Sequence, residues 1–210
     1  MFKNRVFIAI TAVFFTATAF AKTDANAQTT FKLNDKVGKN QFEWNSTMPV
    51  ETIDGTAEGI TGWLTFDPAK PTTITGTVSA SVATMKSGND MRDQHLHSDS
   101  WLDAAKYPQI TFTAKSAKNV KQNGNKYTAD VTGDFSMHGV TKSMTIPVEI
   151  QYIKANAETA KRAPGDLVAL SGTFTVPIKD FNVAGSKGTI GSKVGETITI
   201  KAKLYGASGL

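Results

Sequence analysis

Cysteine is absent from all 210 residues. That absence excludes thiol nucleophiles, iron–sulfur clusters and cysteine-based zinc sites, and it leaves the fold to stand without disulfides even in an oxidising compartment. Histidine is nearly as scarce, with three in the chain: His95, His97 and His138. Long apolar runs are also lacking. Residues 6–15 are almost uninterruptedly apolar, but a membrane-spanning helix needs about 20. Neither sign of charge dominates, with 23 basic and 18 acidic residues scattered along the chain, so no nucleic-acid footprint is written there. Two common catalytic signatures are missing as well. No Gly-x-Ser-x-Gly occurs, and the glycine-rich stretch from Gly185 to Lys193 lacks the order of a phosphate-binding loop.

The chain starts as an exported protein does. Lys3 and Arg5 precede the apolar run, and small residues follow, with Ala19-Phe20-Ala21 and Ala25-Asn26-Ala27 as alternative cleavage sites. Charge, apolar stretch and small residues in that order make a secretory signal peptide. The expectation is a signal over residues 1–21, its boundary falling after residue 27 if the second site is used. One domain then covers residues 22–210, in the periplasm or secreted. Removing Lys3 and Arg5 takes the basic count from 23 to 21 against 18 acidic residues, a net charge of +3.

What remains alternates with a period of two. Tyr127, Ala129, Val131, Gly133, Phe135 and Met137 share one face, with Thr128, Asp130, Thr132 and Asp134 on the other. The same pattern runs through Met144–Tyr152, Val168–Ile178 and Ile198–Leu204, and with less force around Phe42, Ile60, Ile74 and Ile110. Such alternation marks half-buried strands. Asn123-Gly124 supplies a tight hairpin turn. About eight strands joined by short polar connections make an all-β antiparallel barrel or a sandwich. Small residues on apolar faces, such as Gly62, Gly76, Gly133 and Gly172, favour the curvature or internal space of a barrel. Eight-stranded barrels are either filled by side chains or hold one small ligand, and alternation alone does not separate the two.

One stretch breaks the pattern. Residues 87–106, SGNDMRDQHLHSDSWLDAAK, carry no alternation. Ser87 or Asn89 is placed to cap a short helix, which would lie over one end of the barrel as a lid, with a second turn near Trp101. His95, His97 and a distant His138 would in principle bind zinc or copper, in a metal-binding protein or enzyme. Residues two apart on a helix diverge, however, and polar or capping roles suit these histidines better. Neither catalytic residues nor a metal site is therefore expected.

Two longer blocks resemble a known family. Met91-Arg92-Asp93-Gln94-His95-Leu96, then Trp101-Leu102-Asp103 and Tyr107-Pro108-Gln109-Ile110-Thr111-Phe112, resemble the YceI-like family, as does Gly133 to Lys142 (GDFSMHGVTK). The resemblance implies a lipocalin-like barrel with an elongated apolar cavity, a binding protein rather than an enzyme, and a polyisoprenoid or other long-chain lipid as ligand with no further cofactor. It also implies a homodimer in some members and is compatible with transient membrane contact. Carried over onto this chain, it names Met91, Arg92, His95, Leu96, Trp101, Phe112, Phe135, Met137 and His138 as ligand-binding. Arg92, His95 and His138 would orient a polar or anionic head group, unless Arg92 is spent on Asp90, Asp93 or Asp99. The chain departs from the family's commoner pattern at Met48 to Gly55 and at Phe181-Asn182, near the expected mouth. A filled barrel that binds a partner through its lid is the alternative.

Overall fold

The computed structural model describes residues 28–210; the expected signal peptide and both cleavage sites lie outside them. The strands are β1 (Thr29–Leu33), β2 (Gln41–Met48), β3 (Glu51–Ala57), β4 (Thr61–Phe66), β5 (Thr75–Ser81), β6 (Gln109–Asn123), β7 (Lys126–Met137), β8 (Val140–Ile153), β9 (Leu167–Pro177) and β10 (Thr197–Ala207). Between β5 and β6 lies one helix, α1 (Asp90–His97). All pairings between strands are antiparallel, in the order β1-β4-β5-β6-β7-β8-β9-β10-β2-β3, and β1 also pairs with β10. That last pairing closes eight strands into a ring.

The ring has eight strands, the number expected, and β2 and β3 add a hairpin beside it. Two strands were not foreseen. β1 is too short to show its period, with Phe31 and Leu33 alone facing inward, and β3 buries only Ile53 and Ala57. Along β10 the partner changes partway. Gly206 and Ala207 face β1, whereas Thr199–Lys203 face β2. At the fork, buried Asn40 accepts a hydrogen bond from Tyr205 N (2.7 Å) and donates to Asp35 Oδ1 (2.8 Å). At the far end, β3 is tied back to the segment after β5 by paired Thr56–Lys86 backbone bonds of 2.8 Å. One end of the barrel is thus closed by β1, and the other is widened by the β2–β3 hairpin.

Turn chemistry sets the registers. The β6–β7 turn is Gly124-Asn125 rather than Asn123-Gly124, since Asn123 pairs with Lys126. Positive φ falls on Gly124 alone of the two, as a type II′ turn requires. The β7–β8 turn is His138-Gly139, with φ of 50° and 75°, which is the type I′ pattern. In β7 the burial alternates as the sequence does, with Tyr127 through Met137 inward.

The closed end is filled. Phe31, Phe66, Tyr127, Ile150 and Val168 form a buried cluster there, with Phe66 and Tyr127 edge to face at 4.9 Å. At the open end α1 is held in place. Asn89 Oδ1 accepts from Arg92 N (3.0 Å) as its N-cap. The Asp93 carboxylate accepts from Ser87 N (2.7 Å) and Ser87 Oγ (2.6 Å). Burial alone would raise the Asp93 pKa, but the Ser87 hydrogen bonds, helped by His97 and Lys86, hold it below the ordinary aspartate value. The expected second helical turn near Trp101 is instead a run of tight turns, with Asp103 at φ 46°.

Candidate functional site

Between the lid and the filled end the barrel is hollow. The cavity has a volume of about 490 Å³, within the range of ligand-binding pockets. Its walls are inward side chains of the ring, among them Ala80, Ile110, Val176, Ile198 and Ile200, and its polar groups are few. The inward positions at this level therefore leave space instead of interlocking.

Eight of the nine residues named from the sequence border this space. Met91, Arg92, His95 and Leu96 come from α1, Trp101 from the turn after it, Phe112 from β6, and Phe135 and Met137 from β7. The ninth, His138, does not. It sits in the β7–β8 turn at positive φ, where histidine is tolerated better than most residues. Its Nδ1 meets the Phe181 carbonyl at 3.1 Å and its ring lies edge-on to Tyr107 at 4.8 Å. The family resemblance, not alternation, had named His138, and in this structure the motif that carries it forms the turn.

The histidines do not converge on a metal. The His97 Nε2 lies 2.9 Å from the Met85 carbonyl, and His138 is engaged with Phe181. Among the described residues no three His, Cys, Asp or Glu side chains are grouped as a metal site would need.

The polar groups gather at the mouth. Arg92 pairs with none of Asp90, Asp93 or Asp99. Its Nε donates to Ser87 Oγ (2.9 Å), and its Nη1 stands 3.9 Å from Glu51 Oε1 at the start of β3. Both partners of that pair are well exposed, with side chains 37% and 44% accessible, so it holds Arg92 weakly. The His95 ring and the Lys193 ammonium, which also border the cavity, have no partner among the described residues.

The sequence reading missed two contributors. The β2–β3 hairpin supplies Phe42, Trp44, Ser46, Glu51 and Ile53, and the β9–β10 connection supplies Ser186, Thr189, Lys193 and Val194. The alternation of Phe42 and Trp44 was visible, but not that β2 enters the wall. Trp44 folds over its cross-strand partner Gly55, where a Cβ would lie 2.0 Å from the ring. Its Nε1 is buried without a partner among the described residues. Buried Ser46 accepts from Gly195 N (2.8 Å), tying the β9–β10 connection to the hairpin.

Known proteins resemble the chain throughout the barrel. The model of a family described as the YceI-like domain matches residues 23–205. A UPF0312 protein of Pseudomonas putida is 35% identical over 157 residues, 74% of this chain and 77% of its own. Among solved structures, Burkholderia cenocepacia BcnA superposes with a TM-score of 0.66 at 24% identity, covering 82% of this chain and 98% of its own. A polyisoprenoid binding domain from Saccharophagus degradans superposes with a TM-score of 0.62 at 12% identity, covering 86% and 99%.

Proposed function

The chain belongs to the YceI-like family, and from that premise we propose that it is an exported carrier or reservoir for a long apolar lipid of the polyisoprenoid type. The observation that carries this reading is the hollow: about 490 Å³ of largely apolar space inside the barrel, beyond the buried cluster that fills its closed end. Burying a lipid chain there is favourable by about 0.8 kcal/mol per methylene, so few polar contacts are needed. The polar end stays at the mouth, where Arg92, His95 and Lys193 offer donors to an anionic or oxygen-bearing head group. Arginine suits this task best, because its planar fork matches phosphate or carboxylate. An acceptor oxygen reaching inward would also relieve the unpartnered Trp44 Nε1, whose burial alone is unfavourable. The polyisoprenoid-binding neighbour supports the ligand class. Binding, with no chemical step, and a periplasmic or secreted location belong to the same reading.

The test is native mass spectrometry of the processed protein purified from its own envelope, followed by organic extraction. One copurifying long-chain molecule per barrel is the expected result. A clean apoprotein that also ignores added prenyl and fatty-acyl probes would overturn the reading.

A further inference from the structure

Beneath the main cavity, toward the filled end, lies a second space of about 100 Å³. Leu64, Ile74, Ala114, Val148, Leu170 and Leu204 are among its walls. Four side chains border both spaces: Phe42, Val78, Phe112 and Phe174. They stand between them as a floor. Val78 and Phe112 are direct partners across β5 and β6. Phe42 and Phe174 come from the two strands that flank β10, opposite Ala202 and Ile200 respectively. Around the ring these two pairs lie on opposite sides, so they approach across the lumen.

The floor is seated and not loose. Phe174 stands edge to face with Phe135 at 6.1 Å, a contact that contributes beyond area burial alone. The Phe112 ring reaches over Gly133 on β7, where an added Cβ would lie 2.9 Å from its Cζ. An apolar chain entering from the mouth therefore meets fixed rings at the floor, with apolar space left empty behind them.

We propose that Phe42, Val78, Phe112 and Phe174 form a ruler that sets the length of the lipid tail the barrel accepts. The proposal rests on the carrier reading and adds its selectivity. Affinity rises with each further methylene that fits above the floor, by about fourfold apiece. It stops rising when the tail reaches the rings, because lengthening then leaves apolar surface in water or displaces packed side chains.

The experiment uses the processed chain and a ladder of all-trans prenyl alcohols from farnesol through geranylgeraniol to solanesol. Retention is read by native mass spectrometry and by competition. Wild type is expected to gain affinity along the ladder and then level off. Phe174→Ala, and independently Phe42→Ala, opens the way to the lower space and moves the plateau to longer prenols, with at least a tenfold gain for the first length beyond the wild-type limit. Adding Ala114→Leu to Phe174→Ala fills the lower space and returns the plateau to the wild-type length. Should either alanine variant unfold, Phe174→Leu opens the floor with less lost packing and is expected to shift the plateau in the same direction. A folded variant whose plateau coincides with wild type would overturn the ruler while leaving the carrier reading intact. A wild-type protein that retains no prenol of any length would overturn both.

Discussion

Arg92 shows how one side chain is read differently by sequence and by structure. Its neighbours Asp90, Asp93 and Asp99 were the obvious partners, yet Asp93 is taken by Ser87, and the carboxylate paired with Arg92 is Glu51 at the start of β3, at 3.9 Å. A partly solvated pair at that distance contributes little stability, which leaves the guanidinium available to a ligand. Arg92→Ala is accordingly expected to lower the preference for anionic over neutral head groups by about tenfold, the scale of a hydrogen bond to a charged group. Tail affinity and thermal midpoint should be nearly unchanged. Competition between a prenyl phosphate and the matching prenol checks this, and equal losses for both would remove Arg92 from the site. His138 makes the complementary point. Its place in a conspicuous motif suggested ligand contact, while its φ of 50° and its bond to the Phe181 carbonyl mark a turn residue. A motif records what a position requires, and a type I′ turn is as strict a requirement as a ligand.

Among the elements, the β2–β3 hairpin matters most, because it turns a closed ring into an open vessel. It depends on the fork at Asn40, whose side chain accepts from Tyr205 N where β10 passes from β1 to β2. Asn40→Ala leaves that N–H buried and unpaired, so a loss of about 1–3 kcal/mol is expected, measurable by urea unfolding. Loss of lipid retention at temperatures where the variant is still folded would show that the fork also sets the shape of the mouth. The hairpin tip and the lid share a second property. Val50, between β2 and β3, is 93% exposed, and Met91 on α1 is 68% exposed. If the cavity takes a lipid as proposed, large apolar side chains so exposed beside it suit contact with a bilayer surface. Val50→Asp should slow lipid transfer to phospholipid vesicles without weakening retention in solution. An unchanged transfer rate would argue that release needs no such contact. The short strands β1 and β3 escaped the sequence reading for one reason. Each buries only two apolar side chains, too few to display a period.

For the whole molecule, stability rests on the closed end and function on the open one. At the closed end the Tyr152 hydroxyl donates to Asp166 Oδ2 (2.6 Å). Burial and that bond push the Tyr152 pKa from 10.0 up to about 12. A tyrosine whose folded pKa lies above its unfolded one contributes stability in full below about pH 10. That contribution is lost as pH rises through about 12. The thermal midpoint should therefore fall across this window, and Tyr152→Phe should make the fall shallower; an identical slope in the variant would refute the assignment. The strand period, the Gly-containing turns and the capped lid were all decided locally, by alternation, φ preference and side-chain capping, so the sequence by itself determined an antiparallel barrel with a helical lid. Three things waited for tertiary structure: which strands close the ring, how the β2–β3 hairpin enters the wall, and that the inward residues leave a hollow. Alternation states which side chains face inward. Whether they meet across the axis depends on how far apart closure holds the opposing strands, and only the assembled barrel sets that distance.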